Sequence, residues 1–304
     1  MAVNPRPDDA TTARLLLVVL SIAWGVTWPI MKIALLEIPP LSMRMGSAAC
    51  GAAILFVIGR MRGSSLAIPP GMARIHIVIA GFLNIVCFSI LSAFAQLNAT
   101  TSRVAILAYT MPIWSCLLAW VVLGERMTAA RQIALALCVT GLAVLIYPLA
   151  QHGIPLGLLL ATGIGVSWAM GTIYMKWARM DGDPVGLAAW QVMVGFVFIS
   201  ASVFAFEGGP HFWPVSGWAL FCMVFTGAIG SGIAYFLWFE IVKRLPAMTA
   251  SLGILSAPVI GVLSSMLILG ERPTLADAIG FTLIFAAAAC VVIQPQPSAP
   301  AREA

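Results

Sequence analysis

Pro112-Ile-Trp-Ser-Cys-Leu-Leu-Ala-Trp-Val-Val-Leu-Gly124-Glu125-Arg126-Met-Thr128 has a second copy in Pro258-Val-Ile-Gly-Val-Leu-Ser-Ser-Met-Leu-Ile-Leu-Gly270-Glu271-Arg272-Pro-Thr274. The separations 258 − 112 and 271 − 125 are both 146, so the copies align without a gap. Each reads as an apolar helix with a mid-helix proline, stopped by a glycine and followed by a charged pair at the water boundary. An offset near half the chain marks an internal duplication. Further out, Trp24 aligns with Trp168, Met31-Lys32 with Met175-Lys176, Gly51 with Gly195 and Gly81 with Gly227.

Composition names the solvent. The chain is 61% hydrophobic and 9% charged over 304 residues, against about 25% charged in soluble domains. Lipid must face most of it. Ten apolar runs are long enough to span a bilayer: 14–36, 42–60, 74–97, 101–123, 130–149, 155–178, 184–206, 216–239, 247–269 and 275–293. The expected fold class is therefore an all-α integral membrane protein of ten transmembrane helices. The first repeat occupies 14–149 and the second 155–293, with tails at 1–13 and 294–304.

Five spans per half is an odd number, so the two repeats are expected in opposite orientations, as inverted repeats around a central cavity. With the N-terminus inside, 12 of the 16 Lys and Arg residues fall on the cytoplasmic side and four outside, which expects both termini in the cytoplasm. The net charge of +5 is spread as single residues between apolar runs, with no basic patch interleaved with aromatics. Nucleic acid is thereby excluded as a partner. Cys50, Cys87, Cys116, Cys138, Cys222 and Cys290 all lie in apolar runs without metal-ligand spacing, so they read as small packing residues, with no metal and no cofactor.

The run Trp24-Gly25-Val-Thr-Trp28-Pro-Ile-Met-Lys32, then Ile38-Pro39-Pro40-Leu and Arg44, resembles the opening of the EamA-type repeat of the drug/metabolite transporter superfamily. Trp168-Ala-Met-Gly171, Trp190-Gln191, Pro258 and Gly270-Glu271 continue the likeness in the second half, so that it covers about 14–293. The resemblance implies two inverted five-helix bundles around a cavity, in a carrier of small metabolites. Within the superfamily the chain looks most like bacterial amino-acid and metabolite exporters, including those for aromatic amino acids. It implies a multi-pass protein of the bacterial inner membrane, expected to act as a monomer. One departure is that Ala188 stands where the first half has Arg44, so no role of that arginine can be two-fold symmetric.

Halving the runs places Trp24, Asn84, Pro112, Trp168, the 227–232 glycine cluster and Pro258 near span centres. That depth suits a cavity lined by spans 1, 3, 4, 6, 8 and 9, where irregular backbone is tolerated against protein or water; close helix packing is the plainer reading of the same residues. The candidate cavity residues are Trp24, Asn84, Phe88, Tyr109, Pro112, Trp168, Ser231, Tyr235 and Pro258. Their rings can bury an apolar side chain and attract an ammonium group, or serve packing and, for Trp238, the interfacial belt. Asn84, Ser89 and Ser231 either bind a substrate's polar groups or join helices. Trp190 and Gln191 either flank an inner gate or pack.

All eleven carboxylates lie at span ends, in loops or in tails. Lys32 and Arg44 are expected near the outer face with snorkelling side chains, and Glu125 and Glu271 are expected to fix turns and pair locally. With no Lys or Arg expected at the midplane, phosphorylated substrates are disfavoured and a net-neutral metabolite such as an amino acid is favoured. With no acid or His mid-span a proton relay has no carrier, which expects facilitated movement; backbone carbonyls at the proline breaks leave sodium coupling as the lesser alternative. Efflux of lipophilic cations calls for a mid-span acid that is missing. A membrane-embedded transferase calls for paired acids, or for a His with a nucleophile, at the membrane surface.

Overall fold

The computed structural model describes residues 7–68, 70–125, 127–150, 155–180, 182–244 and 255–292. These form helices and connections, with no strand among the described residues. Helix α1 is Pro7–Leu35 and α2 is Pro40–Met61. Helix α3 runs through Met72–Gly81, a π-helical turn Phe82–Cys87 and Phe88–Asn98. Then come α4 (Thr101–Ala108), α5 (Met111–Leu123), α6 (Ala129–Ala150) and α7 (Leu156–Trp177). Helix α8 is Pro184–Ser202, ending in the π-helical Val203–Glu207. Helix α9 joins Gly217–Phe225, a π-helical Thr226–Ile233 and Ala234–Arg244. Helices α10 (Ser256–Leu269) and α11 (Leu275–Val292) complete the bundle.

Eight stretches, from Leu15–Leu35 to Gly217–Trp238, are long and apolar enough to cross a membrane; Ser256–Leu269 and Leu275–Cys290 are shorter apolar helices. The first residues of the expected ninth span, 247–254, and the C-terminal tail lie outside the described residues. The surface confirms the solvent. Leu267 and Phe206 are more than 80% exposed, and Val121, Tyr147 and Val57 also face outward, while Ser42, Gln96, Thr101 and Thr110 are fully buried. Apolar outside and polar inside suits lipid, where buried polar groups hold helices together by hydrogen bonds. No disulfide joins the six cysteines, all of which lie among the described residues.

The local rules act as written in the sequence. Gly124 and Gly270 end α5 and α10 in the left-handed conformation, at φ 68° and 67°, which a residue with a Cβ adopts only at a cost. Asp183 caps α8 by accepting from the Val185 and Gly186 amides at 2.9 and 3.2 Å, with Pro184 in the first turn. The expected mid-helix prolines are corrected. The fourth run breaks at Tyr109-Thr110, so Pro112 sits in the first turn of α5, and Pro258 likewise lies near the start of α10. Proline lacks the N–H and crowds the carbonyl four residues back, so the helix stops at Tyr109-Thr110 and restarts around Pro112; residues 245–254, ahead of α10, lie outside those described.

Close packing uses glycine where backbones meet. A Cβ on Gly227 would stand 2.1 Å from the Ser47 carbonyl oxygen, so α9 can approach α2 here only without one. Helix α10 packs along α1, α5 along α7, α2 along α8 and α6 along α11. Helices of the first half of the chain therefore pack on helices of the second.

The carboxylates at one end of the bundle do work that local pairing does not describe. Glu271 accepts from the Thr101 and Ser102 amides at 2.5 and 2.9 Å and from the Ser102 hydroxyl at 2.6 Å, capping α4 from 170 residues away. Glu207 caps α2 in the same manner, at the Leu41 and Ser42 amides and the Ser42 hydroxyl. Glu37 receives the Ser216 amide and hydroxyl at the start of α9. Arg103 and Asp277 form a bidentate pair at 2.5 and 3.0 Å. The expectation that Glu271 pairs locally is thus corrected, because the negative carboxylate is drawn to the unsatisfied amides of a helix start. Glu125 does bind the nearby Arg131 at 3.3 Å, but it also binds Lys176 on α7 at 2.5 Å.

Candidate functional site: an aromatic cavity with one buried guanidinium

A cavity lies between α1, α2, α3, α4–α5, α7 and α9, with about 110 Å³ open to the centre of a water molecule. That is room for several waters or a small solute. Three turns of α1 present Trp24, Thr27, Trp28 and Met31 to it; α3 adds Ile85, Phe88 and Ser89, and α9 adds Thr226, Gly230, Ser231 and Tyr235. Ala108, Tyr109, Met111 and Trp168 complete the wall, and Arg44 enters from α2.

The rings form a continuous arc. Trp28 meets Phe88 at 6.3 Å between centroids, Phe88 meets Trp168 edge-on at 5.3 Å, Trp168 meets Tyr235 at 6.1 Å and Tyr235 meets Trp24 at 6.5 Å. Such tilted and edge-to-face contacts are the favoured ring geometries, so the rings of the wall stabilise one another. Trp24 is fixed by its indole N–H, which donates to the Gly230 carbonyl at 3.1 Å. Gly230 lies in the π-helical turn of α9, where the ladder is displaced and carbonyls are freed for other donors.

Of the nine expected cavity residues, Trp24, Phe88, Tyr109, Trp168, Ser231 and Tyr235 come together here. Asn84, Pro112 and Pro258 do not line it. Asn84 donates to Gln191 at 2.9 Å and presses on Gly171, where a Cβ would stand 1.9 Å from its side-chain oxygen. It joins α3 to α7 and α8. Pro258 is buried on α10, which packs on the Gly25 side of α1 rather than on the cavity. Pro112 starts α5, whose neighbour Trp114 leans on Gly165 of α7. Trp190 donates to the Leu66 carbonyl at 2.8 Å, a packing role, and Trp238 stacks behind Trp24 at 6.1 Å. Among the described residues, α2 lines the cavity through Arg44 and the described part of the expected ninth span, α10, does not.

Arg44 is the main correction. It does not snorkel; it is 7% exposed and lines the cavity. Its guanidinium donates to the Ser89 hydroxyl at 2.8 Å and to the Met31 sulfur at 3.0 Å, while Nε has no hydrogen-bond partner among the described residues. One turn into α2, its side chain points across the bundle to α3. The premise that no cation enters the cavity fails with it. Lys32, in contrast, donates to the Gln96 carbonyl at the glutamate end. Trp28, Met31 and Arg44 were missed as lining residues. The signal was present on α1: positions 24, 28 and 31 share one helical face. For Arg44 the signal was an arginine inside an apolar run.

The EamA-like transporter family matches this chain twice, over residues 11–147 and 155–293. The chain is 31% identical over 278 residues to the uncharacterized transporter YvbV of Bacillus subtilis, covering 90% of this chain and 89% of that protein. It is 26% identical to the uncharacterized transporter YoaV of the same organism, covering 87% and 91%. A probable amino-acid metabolite efflux pump of Salmonella typhimurium is 21% identical, covering 87% and 89%. One solved crystal structure superposes with a TM-score of 0.63 at 24% identity, covering 92% of this chain and 96% of that one, a likeness of fold. Two family matches that together span nearly all of the apolar helices place the chain plainly: it belongs to the EamA-like transporter family and is a multi-pass membrane transporter rather than an enzyme.

Proposed function

We propose that this transporter exports amino acids with aromatic or apolar side chains, or metabolites of similar size, across the bacterial inner membrane by alternating access. The observation that carries the reading is the aromatic cavity, whose walls come from helices of both matched halves. Its arc of rings suits an apolar side chain. Similarity to a probable amino-acid metabolite efflux pump supports the same substrate class and the outward direction. Two inverted five-helix repeats with both termini inside are the architecture we assign, supported by the duplicated sequence, by the crossed packing of α1 on α10 and α5 on α7, and by π-helical turns at matching places in α3 and α9. Alternating access then exchanges the two ends of the bundle around a fixed site.

Efflux of lipophilic cations is the weaker reading, because a guanidinium in the cavity repels them and no carboxylate stands among the described lining residues. Movement down the substrate's own gradient is the coupling we assign. The test is tracer flux of an amino-acid panel into proteoliposomes of the purified protein, with pH, sodium and voltage gradients imposed in turn. Equilibration of aromatic amino acids without concentration is expected. Absence of flux for the whole panel would refute the function, and concentrative uptake driven by any gradient would refute the coupling.

A further inference from the structure

We propose that Arg44 is the anchor for a substrate carboxylate, and that the cavity selects small aromatic or apolar monocarboxylates whether or not they carry an α-ammonium group. The inference rests on the reading of the cavity as the transport site and names what that site recognises. A guanidinium removed from water costs several kcal/mol unless paired and hydrogen-bonded. Among the described residues the compensation at Arg44 is incomplete: one neutral hydroxyl, one thioether sulfur, which is a weak acceptor, and an Nε with no partner. No carboxylate is among the described residues that line the cavity. Those at the glutamate end are committed elsewhere: Glu37, Glu207 and Glu271 to helix starts and Asp277 to Arg103. The missing partner is therefore an anion that comes and goes.

Geometry narrows the anion. The guanidinium fork binds a carboxylate through two parallel N–H donors. A phosphate dianion calls for more than one cation in so small a space, and among the described lining residues Arg44 is the only Lys or Arg. The cavity that Arg44 enters is walled by Trp28, Phe88, Trp168 and Tyr235, whose rings favour an apolar body of about one ring. An ammonium group finds ring faces and the neutral hydroxyls of Thr27, Thr226 and Ser231, with no carboxylate among the described lining residues, and the guanidinium in the same cavity offsets that attraction. The charge pattern thus rewards the carboxylate and is indifferent to the amine. Because the second half carries Ala188 at the matching position, the anchor is single, and it fixes one orientation of the solute.

The test is calorimetric titration of the full-length protein in lipid nanodiscs with three probes: 3-phenylpropionate, 3-phenylpropionamide and L-phenylalanine. The acid and the amide share size and ring and differ in charge. Wild type is expected to bind the acid at least about tenfold more tightly than the amide, a difference of about 1.4 kcal/mol, and to bind phenylalanine no more tightly than the acid. Arg44→Gln is expected to abolish the acid–amide difference while amide binding persists, and Arg44→Lys to retain part of it. Equal binding of acid and amide by wild type overturns the anchor but leaves the cavity as the binding site. Tight phenylalanine binding with weak acid binding overturns the indifference to the amine. Failure of all three probes to bind overturns the transport-site reading and the anchor with it. The wild-type comparison alone decides these cases should Arg44→Gln fail to insert.

Discussion

Removing the Glu271 carboxylate should loosen the bundle out of proportion to its position in a loop. In the folded protein its two oxygens receive three hydrogen bonds, at 2.5, 2.9 and 2.6 Å, from the first turn of α4. Thr101 and Ser102 are themselves buried, so without Glu271 their amides have neither the carboxylate nor free access to water. A hydrogen bond to a charged group contributes about 1.5–3 kcal/mol net, and losing a helix cap costs about 1 kcal/mol. The three bonds share one carboxylate and are not additive, so Glu271→Ala should cost about 2–4 kcal/mol. Glu271→Gln should cost less, because the amide keeps one acceptor oxygen while its NH₂ faces a donor. Reversible unfolding in mixed micelles with increasing denaturing detergent measures the difference. Glu37→Ala serves as a comparison, since Glu37 makes the corresponding contact at an exposed helix start. The physical effect should also appear as faster cysteine labelling at positions 101 and 102 in the Glu271→Ala background. If Glu271→Ala unfolds with the wild-type midpoint and slope, the long-range cap contributes nothing and the reasoning fails.

Four further outcomes follow from the geometry. Trp168→Ala and Trp24→Ala should each weaken substrate binding by about 1–3 kcal/mol with insertion intact, and unchanged flux in both well-expressed variants would confine these rings to packing. Gly227→Ala should cost at least about 1–3 kcal/mol, since its Cβ would meet the Ser47 backbone, whereas Gly163→Ala meets only the Leu91 side chain and should fall within about 1 kcal/mol of wild type in the same assay. The hydrogen bond to Lys176, ahead of the Arg131 contact, holds the Glu125 carboxyl below its ordinary value of 4.5. Its contribution is therefore present above that value and lost as pH falls through the lower folded value, so Glu125→Gln should show a shallower acid-side loss of stability than wild type. Cysteines at positions 64 and 180 should label only from the cytoplasm and at 152 and 209 only from outside; labelling of 64 and 152 from one side would break the five-plus-five inverted arrangement.

The sequence by itself determined the solvent, the helices and the duplication. Those are properties of runs: about 20 apolar residues define a span wherever they pack, and Gly124 and Gly270 end helices by backbone conformation alone. The helical face carrying Trp24, Trp28 and Met31 was likewise legible from spacing. What only the tertiary structure decided is which faces meet. Asn84 looked like a cavity residue by depth, but α7 brings Gly171 against it and turns it to packing. Pro258 shares that depth but lies on a helix placed beside α1, away from the cavity. Glu271 looked local until the fold carried the start of α4 to it. Arg44 is the sharpest case. One turn into a span, an arginine can reach the interface or turn inward at similar distance along the chain, and sequence favours the cheaper choice. Its partner Ser89 is 45 residues away and its place in the cavity is set by helix packing across both halves, so its direction, and with it the charge of the site, exists only in the assembled bundle.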